Sequence, residues 1–144
     1  MAQNVRFYSF AGGKIPAKTQ NVIGGKFQDS SATKWVDVHN PATNEVVTQV
    51  PCSTQDEMNQ AVADAKEAYK TWSKTSPLTR QGIMFKYQEL IKKHLRDIAG
   101  LITIEQGKTL LDAEGDVMRG LQVVEHCCSI TNLLLGETIS GIKI

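Results

Sequence analysis

Three groups of residues in this 144-residue chain are of types that carry chemistry. The first is Gly107-Lys108-Thr109, the ending of a phosphate-binding loop. Such a loop holds phosphate oxygens on backbone N–H groups and needs a further glycine five residues before Gly107. That position is Ile102, branched and bulky, and Gly100 comes two residues too early. The spacing excludes a phosphate cradle. The second group is His126-Cys127-Cys128, an imidazole and two thiols in series. Successive side chains on a helix diverge by about 100 degrees, so three in a row cannot converge on one ion. No second ligand pair stands at zinc spacing. Two small buried thiols beside a surface histidine are the expectation. The third group is the run of carboxylates Asp112, Glu114 and Asp116. It falls in the first turns of a helix, where the helix dipole favours negative charge.

The elements around these residues follow from the same stretch. Gly107 suits the left-handed residue that ends one helix. Thr109 caps the next, with Asp112 three positions on as its partner. Ala113, Val117, Gly120, Leu121, Val124 and Cys128 recur at three and four, which predicts one buried face. This fourth helix is predicted from Leu110 to Leu135, with Gly136 as its stop. Before it, Thr54 and Glu57 form a capping box, followed by a stripe of Met58, Ala61, Val62, Ala65, Tyr69 and Trp72. Ser76-Pro77 opens a second helix, proline at its first position, with Ile83, Met84, Tyr87, Leu90 and Ile91 on one side. Leu95, Ile98, Ala99 and Ile102 mark a third, ending at Gly107. The Met and aromatic residues at helical spacing are core positions.

The first 50 residues read differently. Asn21 to Phe27 is a hairpin with Gly24-Gly25 at its turn. Trp35 to Val38 alternates as a strand, Asn40-Pro41 opens a turn closing at Asn44, and Glu45 to Val50 returns. Met1 to Lys26 lacks any Asp or Glu and carries Arg6, Lys14, Lys18 and Lys26. That bias predicts a disordered basic leader or transit-peptide remnant over residues 1–20. Arg6-Phe7-Tyr8-Ser9 resembles a mitochondrial processing site, with cleavage after Tyr8. Glu137 to Ile144 is again short and β-capable, with Gly141 inside it. No internal repeat is present.

The totals exclude several classes. The chain is 41% hydrophobic and 22% charged with a formal net charge of +1, ordinary for a soluble globular protein. That charge gives no reason to expect nucleic acid or a membrane as partner. No apolar run approaches the roughly 20 residues of a membrane span. The length allows one domain. Three cysteines, Cys52, Cys127 and Cys128, are too few and too odd for a disulfide framework and indicate a reducing compartment.

Glu105, Gly107, Lys108, Ala113, Gly115 and Asp116 together resemble the N-terminal third of aldehyde dehydrogenases. So do Ile23-Gly24-Gly25-Lys26-Phe27 and the run from Asn40 to Val46. The longer runs His39–Val46 and Ala113–His126 are similar to one branch of that family, the CoA-acylating methylmalonate-semialdehyde dehydrogenases. The resemblance covers about Val22 to Gly141.

The resemblance implies an α/β fold of which this chain holds only an opening part. That part is a short antiparallel β unit, four α-helices and the start of an oligomerisation strand. Residues 21–144 would be the incomplete N-terminal part of an NAD-binding domain. The family's reaction needs a thiolate nucleophile, donors for an oxyanion and NAD on a strand–helix–strand unit. Its acylating branch passes the thioester to CoA. None of these parts is recognisable here, so the catalytic and cofactor-binding residues are expected further along the chain. NAD and CoA belong to the full-length enzyme, and neither is expected to bind this segment. Glu105 matches a position where several members place a carboxylate near a monovalent cation, with a backbone carbonyl near Val38 or His39. Arg80 matches a common basic position, with a salt bridge to a later part of the chain as its expected role. The resemblance further implies a homotetramer, an aldehyde substrate and the mitochondrial matrix, the cytoplasm being the alternative address. A second reading is a non-catalytic helical interaction module that associates with full-length dehydrogenase subunits.

Overall fold

The computed structural model describes residues 15–137. The processing signature at Arg6-Phe7-Tyr8-Ser9 and the residues around Gly141, where an oligomerisation strand is expected to begin, lie outside the described residues.

Two small antiparallel sheets come first. Strands β1 (Asn21–Ile23) and β2 (Lys26–Gln28) pair with Val22 opposite Phe27. Gly24 and Gly25 close the hairpin at φ 60° and 74°, the positive dihedrals that match the twist of two-residue turns. Strands β3 (Trp35–His39) and β4 (Val46–Pro51) pair from Trp35 opposite Pro51 to His39 opposite Val46, with a register shift between Val38 and His39. Their connection is held by Asn40, whose N–H donates to the Glu45 carbonyl at 2.9 Å and whose side chain accepts from the Ala42 N–H at 2.9 Å. Asn44 takes the left-handed conformation at φ 59°, which its short polar side chain tolerates.

The described end of the predicted leader, residues 15–20, is not a free tail. It is extended and lies along β4 in a parallel bridge between Lys18 and Gln49. The Thr19 N–H donates to the Gln49 carbonyl at 2.9 Å, and the Gln49 N–H donates to the Ala17 carbonyl at 3.0 Å. The Lys18 ammonium sits 4.3 Å from the Trp35 ring centroid. The open edge of β4 supplied hydrogen-bond partners that composition alone does not reveal.

The helices begin and end where their caps place them. Helix α1 (Gln55–Trp72) starts with Thr54 and Glu57 in a reciprocal capping box. Helix α2 (Pro77–Lys93) is capped by the Ser76 hydroxyl, which accepts from the Thr79 N–H. Helix α3 (Leu95–Gln106) stops at Gly107 in the left-handed region, φ 83°. Helix α4 (Leu110–Cys127) is capped by Thr109. In place of the single helix expected from Leu110 to Leu135, the chain breaks at Cys128–Ser129 and resumes as the short α5 (Ile130–Leu133). Three bonds cause the break. The Gln81 amide donates to the Cys128 carbonyl at 2.5 Å, taking the acceptor that the Asn132 N–H would reach in a continuous helix. Asn132 bonds Ser129 instead, at 3.0 Å. The Ser129 hydroxyl turns back to the His126 carbonyl at 2.7 Å, a local bond that competes with the helical ladder.

The core is thin. Ala99, Ala113 and Val117 form its centre, with Ile91, Leu95, Ile98, Ile102 and Leu110 packed against them. Leu121 and Cys128 continue the buried face of α4. Gly120, expected on that face, is exposed, and nothing lies within 4 Å of where its Cβ would be. Val124 is half-buried. Helix α1 buries no residue at all, and Tyr69 and Trp72 of its stripe remain 67% and 44% exposed. Its apolar periodicity is present, yet among the described residues only β1, beside Met58 and Ala61, and the Arg80 guanidinium, over Trp72, lie against it.

Candidate functional site

Gly107, Lys108 and the carboxylate run gather at the junction of α3 and α4. Gly107 makes the corner, and the connection between β3 and β4 leans on it: a Cβ there would stand 2.6 Å from Pro41 Cγ. Only glycine suits both the positive φ and the close approach. Lys108 follows the corner and pairs with Asp116, two turns along α4. Arg119 pairs with the other oxygen of the same carboxylate. The hydrogen bond from Lys108 holds the Asp116 carboxyl below its ordinary range, ahead of the opposing effect of burial and the added pull of both cations. Arg96 on α3 reaches Glu114 on α4 at 3.1 Å, and the Thr109 hydroxyl donates to Asp112 at 2.8 Å. Each carboxylate of the run thus has a partner, and the Arg96–Glu114 pair anchors the two helices to each other.

Glu105 stands apart from this network. It is exposed in the last turn of α3 and makes no hydrogen bond or ion pair among the described residues. A pairing with Lys108 does not form, because Asp116 takes that ammonium. The corner contact of Pro41 with Gly107 nevertheless sets the strand pair bearing Val38 and His39 against the helix end that bears Glu105.

Arg80 closes the elbow between α1 and α2. Its Nη2 donates to the Trp72 carbonyl at 2.7 Å and to the Ser73 carbonyl at 3.3 Å, and its guanidinium lies 5.1 Å from the Trp72 ring centroid. It serves as a side-chain cap for the C-terminus of α1. Its Nε is buried without a hydrogen-bond partner among the described residues.

A second anchor escaped the sequence reading. Beyond its capping box, Glu57 accepts from the Ser31 N–H at 2.7 Å and from the Ser30 hydroxyl at 3.0 Å. The backbone N–H of Thr54, then that of Ser31, lower its carboxyl to about 2. This carboxylate ties the connection between β2 and β3 to the start of α1. The capping pattern was a local signal for half of this arrangement; nothing local marks the other half.

The thiols do not assemble into a site. Cys128 is buried, Cys127 half-buried and Cys52 exposed, all free, while His126 points to the surface. Among the described residues every strand pair within the two sheets is antiparallel, and no strand–helix–strand crossover forms a dinucleotide cradle. No described helix is long and apolar enough to cross a membrane. Among the described residues, an apolar groove of about 280 Å³ lies between α2, α3 and α4, lined by Tyr87, Ile91, Ile102, Val117 and Val124.

A profile of the Aldehyde dehydrogenase family matches residues 27–143. The chain is 58% identical over 134 residues to the mitochondrial methylmalonate-semialdehyde/malonate-semialdehyde dehydrogenase [acylating] of Rattus norvegicus, covering 93% of this chain and 25% of the rat protein. Among solved structures, a methylmalonate-semialdehyde dehydrogenase from Oceanimonas doudoroffii superposes with a TM-score of 0.80 at 35% identity, over 85% of this chain and 25% of that one. A Sinorhizobium meliloti protein described as a methylmalonate-semialdehyde dehydrogenase and complexed with NAD gives 0.81 at 31% identity, over 88% of this chain and 26% of that one. The chain spans about a quarter of the length of the curated relatives it matches. The two small sheets and the helices that follow them match the N-terminal portion of that fold.

Proposed function

The chain belongs to the aldehyde dehydrogenase family, and we propose that it is the N-terminal portion of an NAD-dependent, CoA-acylating methylmalonate-semialdehyde (malonate-semialdehyde) dehydrogenase. The observation that carries this reading is the identity with the rat acylating enzyme along nearly the whole chain. The whole enzyme would oxidise the semialdehyde to an acyl-CoA in valine and pyrimidine catabolism. It would work as a homotetramer in the mitochondrial matrix; the names of its relatives say that they are mitochondrial. In such a reaction NAD accepts the hydride and CoA accepts the acyl group.

The described residues form no strand–helix–strand cradle for a dinucleotide, and their three free cysteines stand at exposed, half-buried and buried positions. Their part is positional. Residues 21–144 form the first portion of the NAD-binding domain, its helices packed as a layer beside the cofactor-binding sheet. The paired carboxylates of α4 fix α3 and α4, and Glu57 fixes the β unit to α1. The experiment is a CoA-dependence assay on the whole reading frame. CoA-dependent acyl product supports the acylating branch; a free acid as product refutes it.

We assign to Glu105 a role as ligand to a monovalent cation, with a backbone carbonyl near Val38 or His39 as a further ligand. Its support is the Pro41–Gly107 contact, together with the partial negative charge at the C-terminus of α3. In the whole enzyme, exchanging sodium or potassium for tetramethylammonium then lowers the thermal midpoint, and Glu105→Gln removes that difference. An unchanged difference in the variant overturns the assignment.

A further inference from the structure

We draw no further inference here: the strongest candidate, the apolar groove between α2, α3 and α4 with Gly120 open on its rim, carries nothing because nothing among the described residues shows what covers it.

Discussion

Replacing Gly107 by alanine should loosen the corner between α3 and α4 for two separable reasons. The residue sits at φ 83°, where an L side chain costs roughly 1–2 kcal/mol. The added Cβ also meets Pro41 Cγ at 2.6 Å, about 1 Å inside ordinary carbon contact. Overpacking of this kind costs roughly 1–3 kcal/mol. The sum is about 2–5 kcal/mol, a large part of the net stability of a small domain. Amide exchange reads it locally, at Ala113 and Val117 in the buried face of α4. Each 1.4 kcal/mol is about tenfold, so protection there should fall at least about 30-fold where exchange is limited by opening of this corner. Pro41→Ala in the same chain removes the crowding and returns the overpacking share, leaving the dihedral share. Gly107→Asn does the reverse: it tolerates the dihedral and keeps the crowding. Unchanged protection in Gly107→Ala, or no recovery on adding Pro41→Ala, would refute the reasoning.

Two further predictions concern charge and exposed surface. The folded Glu57 carboxyl lies near 2, below its ordinary value of 4.5, so its contribution is complete above about pH 4.5 and fades as pH falls toward 2. The Ser31 and Thr54 amide resonances should therefore titrate with a midpoint near 2, and a midpoint near 4.5 would contradict the bonds assigned to them. Phe27, Leu78, Leu111 and Leu135 are 71–78% exposed, so residues 1–144 alone should self-associate and bind a hydrophobic dye, with weak near-ultraviolet circular dichroism from Trp35 and Trp72. A sharp monomeric thermal transition would contradict this and favour the interaction-module reading.

What was legible in the sequence was local. Thr54, Ser76, Gly107 and Thr109 announced their helix ends because a cap and its target lie within four residues. Gly24-Gly25 announced the hairpin for the same reason. The break after Cys127 was illegible because its cause, Gln81, lies 47 residues from Cys128. The hold of Glu57 on Ser31 spans 26 residues, and the arm beside β4 is held across 30. Periodicity found the buried face of α4 but misplaced Gly120, which lacks the side chain that would have filled the groove at its edge. At the candidate site, charge order suggested helix-dipole partners for Asp112, Glu114 and Asp116. It did not show that Lys108 and Arg96 would span from the corner and from α3 to claim two of them. Glu105 was legible only through the family pattern, and its exposure in the last turn of α3 was not. The apolar stripe of α1 was legible in full, but periodicity identifies a face and never what covers it.

The proposed role of this segment is to position the chemistry of an acylating dehydrogenase without holding it. The direct measurement follows NADH formation from methylmalonate semialdehyde and NAD, with the acyl product identified. It compares the whole reading frame with residues 1–144 alone, each with and without CoA. The account predicts no NADH from residues 1–144 and, from the whole reading frame, NADH and acyl-CoA in equal amounts only when CoA is supplied. NADH formed by residues 1–144 alone, or a free acid released by the whole enzyme without CoA at an undiminished rate, would contradict it.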